Sequence, residues 1–172
     1  MKFKAGNFKF QLSYDVKCMK KEYSAIPESI AKMGTYGFSW MDFITAIPAA
    51  LFVVTSYKSN GKPNACLQSW LCFNGSPRGS YAILSSVNKS GYLHQTIQET
   101  GEAVLNFSST DIYDKCTETI SNNEFNIDEI SALGLTVEQA TTVNAPRIKE
   151  CFFNLECRYL WKRELLRVTH MF

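Results

Sequence analysis

The sequence lacks the short motifs by which several large enzyme classes are recognised. Neither glycine-rich phosphate loop, GxGxxG or GxxxxGKS/T, occurs in its 172 residues. The GxSxG motif of serine hydrolases is missing as well. A Cys–His nucleophile pair stays open, because its partners can be far apart in a chain, although no local pattern marks one. The sequence therefore assigns no catalytic residue.

Histidines are scarce and the cysteines show no pairing pattern. The chain has two histidines and six cysteines, and no two cysteines have CxxC spacing. Zinc sites normally need such spacing together with histidine or further cysteine ligands. The sequence predicts no metal site, and the cysteines are expected to be reduced thiols of the core, as is usual in the cytosol.

The chain also has no excess of one charge and no long apolar run. Its eighteen Lys and Arg are offset by sixteen Asp and Glu, whereas a nucleic-acid site needs a basic stripe. No apolar stretch reaches the ~18 residues of a membrane span. The N-terminus, MKFKAGNFKF, lacks the apolar core of a signal peptide. These absences predict a cytoplasmic protein that binds neither nucleic acid nor membranes.

The sequence does contain a core large enough for one domain. Hydrophobic residues make up 45% of the chain. An apolar run, Ala49 to Ser56, does not alternate, which is typical of a strand buried on both faces. The dipeptide Asn60-Gly61 predicts a hairpin turn after it. Turns about ten residues apart through residue 86 predict a barrel rather than parallel β/α units.

A helix and further strands are predicted beyond this meander. Leu93, Thr96 and Ile97 share one helical face, with Ser90 as the expected N-cap and Gly101 as the C-terminal stop. The remaining predictions are a strand at 103–107, a helix near 112–121, helix or loop at 122–134, a strand or extended segment at 135–143, a turn at 145–148 and a half-buried strand from Phe153 to Trp161. The fold class is therefore α+β, mainly β.

Several motifs in this order resemble the flavin reductase-like family, the FMN-binding split barrels that include the flavoredoxins. The matching residues are Val53, Val54 and Thr55; Gly61 to Ala65; Ser69 and Trp70; Lys89, Tyr92 and His94; Gly101, Glu102, Val104 and Asn106; and, later, Gly134 to Thr136, Val143, Ala145-Pro146 and Leu155 to Cys157. The resemblance covers about residues 46 to 160. It implies a Greek-key-like split β-barrel domain at 46–172, preceded by an N-terminal arm at 1–45.

The resemblance also implies a function. The protein would bind FMN, take electrons from NADH or NADPH, pass them to free flavin or to an acceptor protein, and work as a homodimer. The expected cofactor-binding residues are Thr55, Asn64, Ala65, Cys66, Ser69, Trp70, Ser86, Lys89, Ser90, Tyr92 and His94. Lys89, Ser90 and the helix start after them suit an anion, because N-terminal helix amides lack partners. The alternative is a non-catalytic FMN-binding module of the same fold.

Some of these assignments have structural alternatives. Trp70 could belong to the core, and Tyr92 and His94 could pack or cap. Ala103 stands where the family usually has Phe. The family also continues beyond its Leu-Glu-Cys strand with a further strand containing a Gly-Glu pair, so the domain is expected to be either naturally short or truncated at its C-terminal end.

Overall fold

A computed structural model describes residues 49–77, 79–121, 124–166 and 169–172. The strands in these ranges are β1 (Phe52–Tyr57), β2 (Pro63–Gln68), β3 (Leu71–Ser76), β4 (Gly79–Leu84), β5 (Val87–Asn88), β6 (Glu102–Phe107), β7 (Val137–Gln139), β8 (Pro146–Ile148), β9 (Phe153–Arg158), β10 (Arg163–Leu166) and β11 (Thr169–Met171). The helices are α1 (Tyr92–Thr100), α2 (Tyr113–Glu118) and α3 (Glu129–Ala132), with a 3-10 turn at Thr110–Ile112. This content confirms the α+β, mainly β prediction. The predicted arm at 1–45 lies outside the described residues.

The strand β1 lies at the centre of the largest sheet. This sheet has the order β2-β1-β6-β9, and all of its neighbouring strands are antiparallel. Phe52 and Val54 belong to an inner core cluster with the apolar face of α1, whereas Val53 packs on the opposite face with Ile130 of α3. Successive side chains of a strand point to opposite faces. The apolar run without alternation is thus explained by burial on both sides, as predicted.

The β1–β2 hairpin turns where the Asn-Gly pair predicts. Gly61 has φ +78°, a conformation that glycine adopts without the steric cost of a side chain. The Asn60 side chain accepts a hydrogen bond from the Lys62 amide at 3.0 Å and donates one to the Phe125 carbonyl at 2.8 Å. The hairpin is therefore tied to the 124–128 segment that leads into α3.

The α1 helix follows the sequence closely at its C-terminal end but not at its start. Gly101 has φ +71° and its amide donates to the Ile97 carbonyl, so the predicted glycine stop is confirmed. The predicted N-cap, Ser90, is wrong, because the cap residue is Gly91 and Ser90 is bonded to Asn88 instead. No helix among the described residues is long and apolar enough to span a membrane.

Four further predictions differ from the structure. The turn predicted at 145–148 contains a strand, β8, which pairs with β7. The strands β3 and β4 reach closer to their turn than expected, since Ser76 pairs with Gly79. The helix predicted near 112–121 is a 3-10 turn followed by the shorter α2. Finally, the half-buried strand predicted from Phe153 to Trp161 ends at Arg158. It is followed by β10 and β11, which the sequence does not predict, and β11 pairs with β5. The strands β8, β10 and β11 have only three or four residues each, which is too few for a periodic pattern.

Asn106 joins three strands through its buried amide. Its Nδ2 donates to the Val53 carbonyl and to Thr55 Oγ1, both at 2.9 Å, and its Oδ1 accepts from the Ile148 amide at 2.9 Å. The side chain is fully buried. Buried polar groups cost free energy unless they are paired, so this residue satisfies the backbone where β8 crosses the sheet.

A buried ion pair holds the hairpin turn against α3. Lys58 Nζ lies 2.6 Å from Glu129 Oε1, and both side chains are 1% exposed. Lys58 also donates to the carbonyls of Glu124 and Ile127, while Glu129 Oε2 accepts from the Ala65 amide at 2.8 Å. Burial raises the pKa of Glu129, and it outweighs the opposite effects of the Ala65 amide and Lys58.

We expect Asn106→Ala to lower the free energy of unfolding by about 2–4 kcal/mol, because it leaves the Ile148 amide buried without its acceptor and removes the donor to the Val53 carbonyl and Thr55 Oγ1. Urea unfolding measures the change. Asn154 is the control: it lies opposite Asn106 in the β6–β9 register, and its buried Oδ1 has no hydrogen-bond partner. Asn154→Ala should cost less than about 1 kcal/mol. Equal losses for the two variants would contradict the role given to Asn106.

We expect Lys58→Met to cost about 3–5 kcal/mol at pH 7, because Glu129 is left buried without its counter-charge. The pKa of Glu129 is already raised, and an acid with a raised folded-state pKa loses stability as the pH rises through that pKa. The deficit of the variant should therefore be smaller at pH 5 than at pH 7 in urea unfolding. Lys62→Met removes an exposed lysine from the same turn and should change stability by less than about 0.5 kcal/mol. A pH-independent deficit would contradict this account.

Candidate functional site

Two distant segments of the chain meet at the end of β2. The carbonyl of Trp70 accepts hydrogen bonds from the Ser85 amide at 3.0 Å and from Ser85 Oγ at 3.2 Å. These bonds place Ser69 and Trp70 next to the start of the polar loop at 85–91. Ser69 is half-buried and Trp70 is 42% exposed. Trp70 is thus not a core residue, and its ring offers surface area beside the loop.

The polar loop at 85–91 is held by its own side chains. Asn88 Oδ1 accepts from the Ser90 amide at 3.0 Å and from Ser90 Oγ at 2.9 Å, and the Asn88 carbonyl accepts from the Gly91 amide at 3.1 Å. Ser86 is exposed and has φ +61°, a left-handed conformation that is uncommon for residues other than glycine. Backbone strain of this kind persists where the surrounding structure imposes it, often at functional sites.

The loop ends at a helix start whose cap residue has no side chain. Gly91 is the N-cap residue of the nine-residue helix α1, and as a glycine it supplies no side-chain hydrogen bond to the first-turn amides. Lys89, two residues before the cap, is 29% exposed. Uncapped amides and the helix dipole favour an anion at this position, and a lysine beside it adds a positive charge. This end of the site suits a phosphate group.

Lys89 has a partner in the C-terminal strands. Its Nζ lies 2.8 Å from Glu164 Oε1 on β10. The pair forms because β11 aligns with β5, directly before Lys89 in the chain. The predicted anion-binding lysine, Lys89, therefore lies at the site, but it forms an ion pair with Glu164 of the same chain.

Asn64 offers a buried donor on the face of the sheet that meets α1. It lies opposite Ser56 in the β1–β2 register, and Ser56 Oγ is 2.6 Å from Thr96 Oγ1 on α1. The Asn64 side chain is 1% exposed, and its Nδ2 has no hydrogen-bond partner. A native buried amide without a partner is uncommon, so this atom is a candidate ligand donor.

Thr55 and Ala65 face the other way. They lie opposite each other in the β1–β2 register and are both fully or nearly fully buried. Thr55 Oγ1 donates to the Pro146 carbonyl at 2.5 Å and accepts from Asn106, while the Ala65 amide donates to Glu129. The structure therefore separates these two from the residues around the polar loop.

Cys66 lies on the same face as Val54, next to the inner core cluster. Burial raises the pKa of its thiol, and the hydrogen bond from Gln68 only partly offsets this effect. A thiol with a raised pKa is a poor nucleophile at neutral pH. Cys66 is therefore a neutral, half-buried thiol that packs against the inner core cluster.

Tyr92 and His94 both pack within the fold. The Tyr92 ring lies 6.0 Å from the Phe125 ring, and Lys58 Nζ lies 5.4 Å from its centroid. His94 is 8% exposed; its Nδ1 is 2.8 Å from Gln98 Nε2, and its ring meets Phe172 edge-on at 5.3 Å. These contacts support the packing alternative, although Tyr92 stays half-buried at the first position of α1.

A separate cavity of about 470 Å³ is lined in part by the inner core cluster, through Val54, Leu84, Ile97 and Leu105. Its walls come from β4, β9, residues 159–161 and Phe172, and none of the predicted cofactor-binding residues lines it. Glu156, which also lines it, accepts hydrogen bonds from the Thr141 amide, the Thr142 hydroxyl and the Thr142 amide, and these bonds lower its pKa to about 2. Within the described ranges, no cluster of His, Cys, Asp or Glu side chains could hold a metal ion.

Sequence reasoning missed Asn88, Lys58 and Glu164. The Asn88-x-Ser90 spacing is typical of an Asx turn and could have indicated the role of Asn88. The paired residues Lys58 and Glu129 are 71 positions apart in the chain, and Lys89 and Glu164 are 75 positions apart. No local pattern signals such pairs.

Comparison with known proteins identifies the family. A family model described as flavin reductase like domain matches residues 44–169, well over half of the chain. An uncharacterized protein from Archaeoglobus fulgidus is 28% identical over 120 residues, an alignment that spans 63% of this chain and 66% of that protein. The chain thus spans slightly less than two thirds of that relative's length.

Solved structures agree on the fold. Flavoredoxin of Desulfovibrio vulgaris (Miyazaki F) superposes with a TM-score of 0.65 at 22% identity, covering 89% of this chain and 72% of that one. A flavin reductase with a split barrel domain from Shewanella frigidimarina gives 0.68 at 17% identity, covering 86% and 75%. The NADH:FAD oxidoreductase of Streptomyces globisporus gives 0.61 at 15% identity, covering 73% and 70%. The chain belongs to the flavin reductase-like domain family and has its split-barrel fold.

Proposed function

We propose that the protein is an FMN-binding oxidoreductase that takes electrons from NADH or NADPH and passes them to free flavin or to an acceptor protein. Membership of the flavin reductase-like family supports a flavin-related oxidoreductase. The observation that carries the proposal is the meeting of Trp70 with the polar loop at the uncapped start of α1. One side of this site suits a phosphate and the other suits a flat ring.

The phosphate end fits FMN through its donor set. Lys89 supplies a positive charge, and Ser86 and the first-turn amides of α1 supply hydrogen-bond donors. Charge-assisted hydrogen bonds to phosphate are about twice as strong as neutral ones. The same donors would serve any phosphorylated flavin, and the proposal of FMN rests on the family resemblance of the motifs around them.

The ring end fits through one aromatic surface and one half-buried hydroxyl, and a buried donor lies further along β2. Trp70 keeps 42% of its surface exposed, which is enough for contact with a flat ring system or its side chain. Asn64 Nδ2 is buried and lacks a hydrogen-bond acceptor. Flavin carbonyls are acceptors, so the half-buried Ser69, which directly precedes Trp70, is the residue that would orient the polar edge. Asn64 lies five residues earlier, roughly 16 Å away along β2, and would meet a different part of the cofactor.

The chain's own residues bind and orient rather than carry protons. A bound flavin supplies the hydride-accepting and electron-transferring chemistry, which depends on proximity and orientation. His94 is buried and bonded to Gln98, and Cys66 has a raised thiol pKa. We therefore assign no acid–base role to either residue. Lys89, Asn64 and Trp70 are the residues that we expect to bind and orient the flavin.

A homodimer is part of the proposal. Phe73, Phe153 and Trp161 are large apolar side chains with about half of their surface exposed. Phe73 and Phe153 both contact the Phe107 ring, at centroid distances of 6.3 and 5.6 Å, so two of them form one aromatic patch. Exposed apolar patches commonly mark interaction surfaces, which supports association of two copies.

The test of function is the visible spectrum. Purified protein, as isolated or after addition of FMN and gel filtration, should show the flavin absorption band, and NADH or NADPH under anaerobic conditions should bleach it. Retained flavin that stays oxidised with both donors would instead identify a binding module without turnover. Protein that retains no flavin under either condition would overturn the proposal.

We expect Lys89→Ala to weaken FMN binding by about 10- to 100-fold, because a charge-assisted contact to phosphate is lost. Riboflavin, which has no phosphate, should bind both proteins equally well. Flavin fluorescence quenching on titration with protein measures both affinities. Lys149→Ala removes an exposed lysine after β8 and serves as the control. An unchanged FMN affinity in Lys89→Ala would remove Lys89 from the site.

A further inference from the structure

The C-terminal strands are attached directly to the polar loop. β11 pairs with β5 through Thr169 opposite Asn88 and His170 opposite Val87. Phe172 and Leu84 exchange two backbone hydrogen bonds, at 2.8 and 3.0 Å. The position of β10, which pairs with β11, is thereby fixed relative to the loop.

This attachment brings a carboxylate to the lysine at the phosphate end. Glu164 of β10 lies 2.8 Å from Lys89 Nζ, and no other Lys or Arg occurs between residues 79 and 114. The pair neutralises the positive charge that the polar loop and α1 contribute. An incoming phosphate monoester, with a charge of roughly −2, would meet a neutral pair and a nearby carboxylate rather than a free cation.

We propose that Glu164 competes with the flavin phosphate for Lys89 and thereby sets the selectivity of the site between phosphorylated and unphosphorylated flavins. This inference rests on the proposed function, since it concerns the same site. The carboxylate occupies the Lys89 contact when no phosphate is bound, and it must leave that contact when FMN binds. This exchange lowers the affinity for FMN and leaves riboflavin untouched.

The exposure of the pair makes the exchange feasible. The side chains of Lys89 and Glu164 are 29% and 60% exposed, in contrast to the 1% of the buried pair between Lys58 and Glu129. Exposed ion pairs contribute little, because water screens them and two long side chains lose freedom. A doubly charged phosphate that also engages the first-turn amides of α1 can therefore displace the carboxylate from Lys89.

The test compares FMN with riboflavin in Glu164→Gln, which removes the charge and keeps the shape. We expect FMN to bind about two- to fivefold more tightly, the range set by the strength of an exposed ion pair, and riboflavin to bind as before. Glu99→Gln is the matched control: Glu99 is an exposed acid on α1, seven residues beyond Tyr92 and roughly 10 Å further along the axis. It should change neither affinity. The gain in Glu164→Gln should shrink at 1 M salt, where charges are screened over about 3 Å.

A double-mutant cycle measured by flavin fluorescence quenching isolates the pair. In a Lys89→Ala background, Glu164→Gln should no longer raise the affinity for FMN relative to that for riboflavin, because Lys89, the group for which Glu164 and the phosphate compete, is absent. Unchanged or weaker FMN binding in Glu164→Gln, or an equal shift for both flavins, would overturn the inference and leave the proposed function standing. A chain that binds neither flavin would overturn both.

Discussion

The structure depends on a strand that is buried on both faces and paired on both edges. β1 lies between β2 and β6, and its side chains alternate between the inner core cluster and the cluster covered by α3. A strand in this position cannot shift by one residue, because every side chain would change faces. The register of β2 is thereby fixed, and with it the place where Ser69 and Trp70 leave the sheet.

The position of the site depends on that register and on the polar loop at 85–91. Residues 85–91 satisfy their own amides through Asn88 and through the Trp70 carbonyl, and this leaves the start of α1 without a side-chain cap. If Ser90 had capped the helix, as its position suggests, one of the first-turn amides would already be occupied. The diversion of Ser90 to Asn88 is therefore the local event that keeps the helix start available to an anion.

The sequence predicts the parts of this arrangement that are local. The continuous apolar run of β1, the Asn-Gly turn and the Gly101 stop each depend on residues within a few positions of one another, and all three are confirmed. The separation of Thr55 and Ala65 from the polar loop depends instead on which face of the sheet meets α1. The short strands β8, β10 and β11 depend on partners far away in the chain, because three or four residues carry no readable period.

Two Lys–Glu pairs show how environment decides what the same chemistry does. The pair between Lys58 and Glu129 is sealed from water and tied to three backbone groups, so neither partner can leave without exposing a buried charge. The pair between Lys89 and Glu164 lies at the surface, where water can solvate either partner after separation. The first pair can only hold the hairpin against α3, whereas the second can open without disturbing the core. The ion pair at the polar loop, Lys89–Glu164, can therefore exchange its partners, whereas Lys58–Glu129 is fixed. Lys58 Nζ lies over the ring of Tyr92 and so supports the first residue of α1.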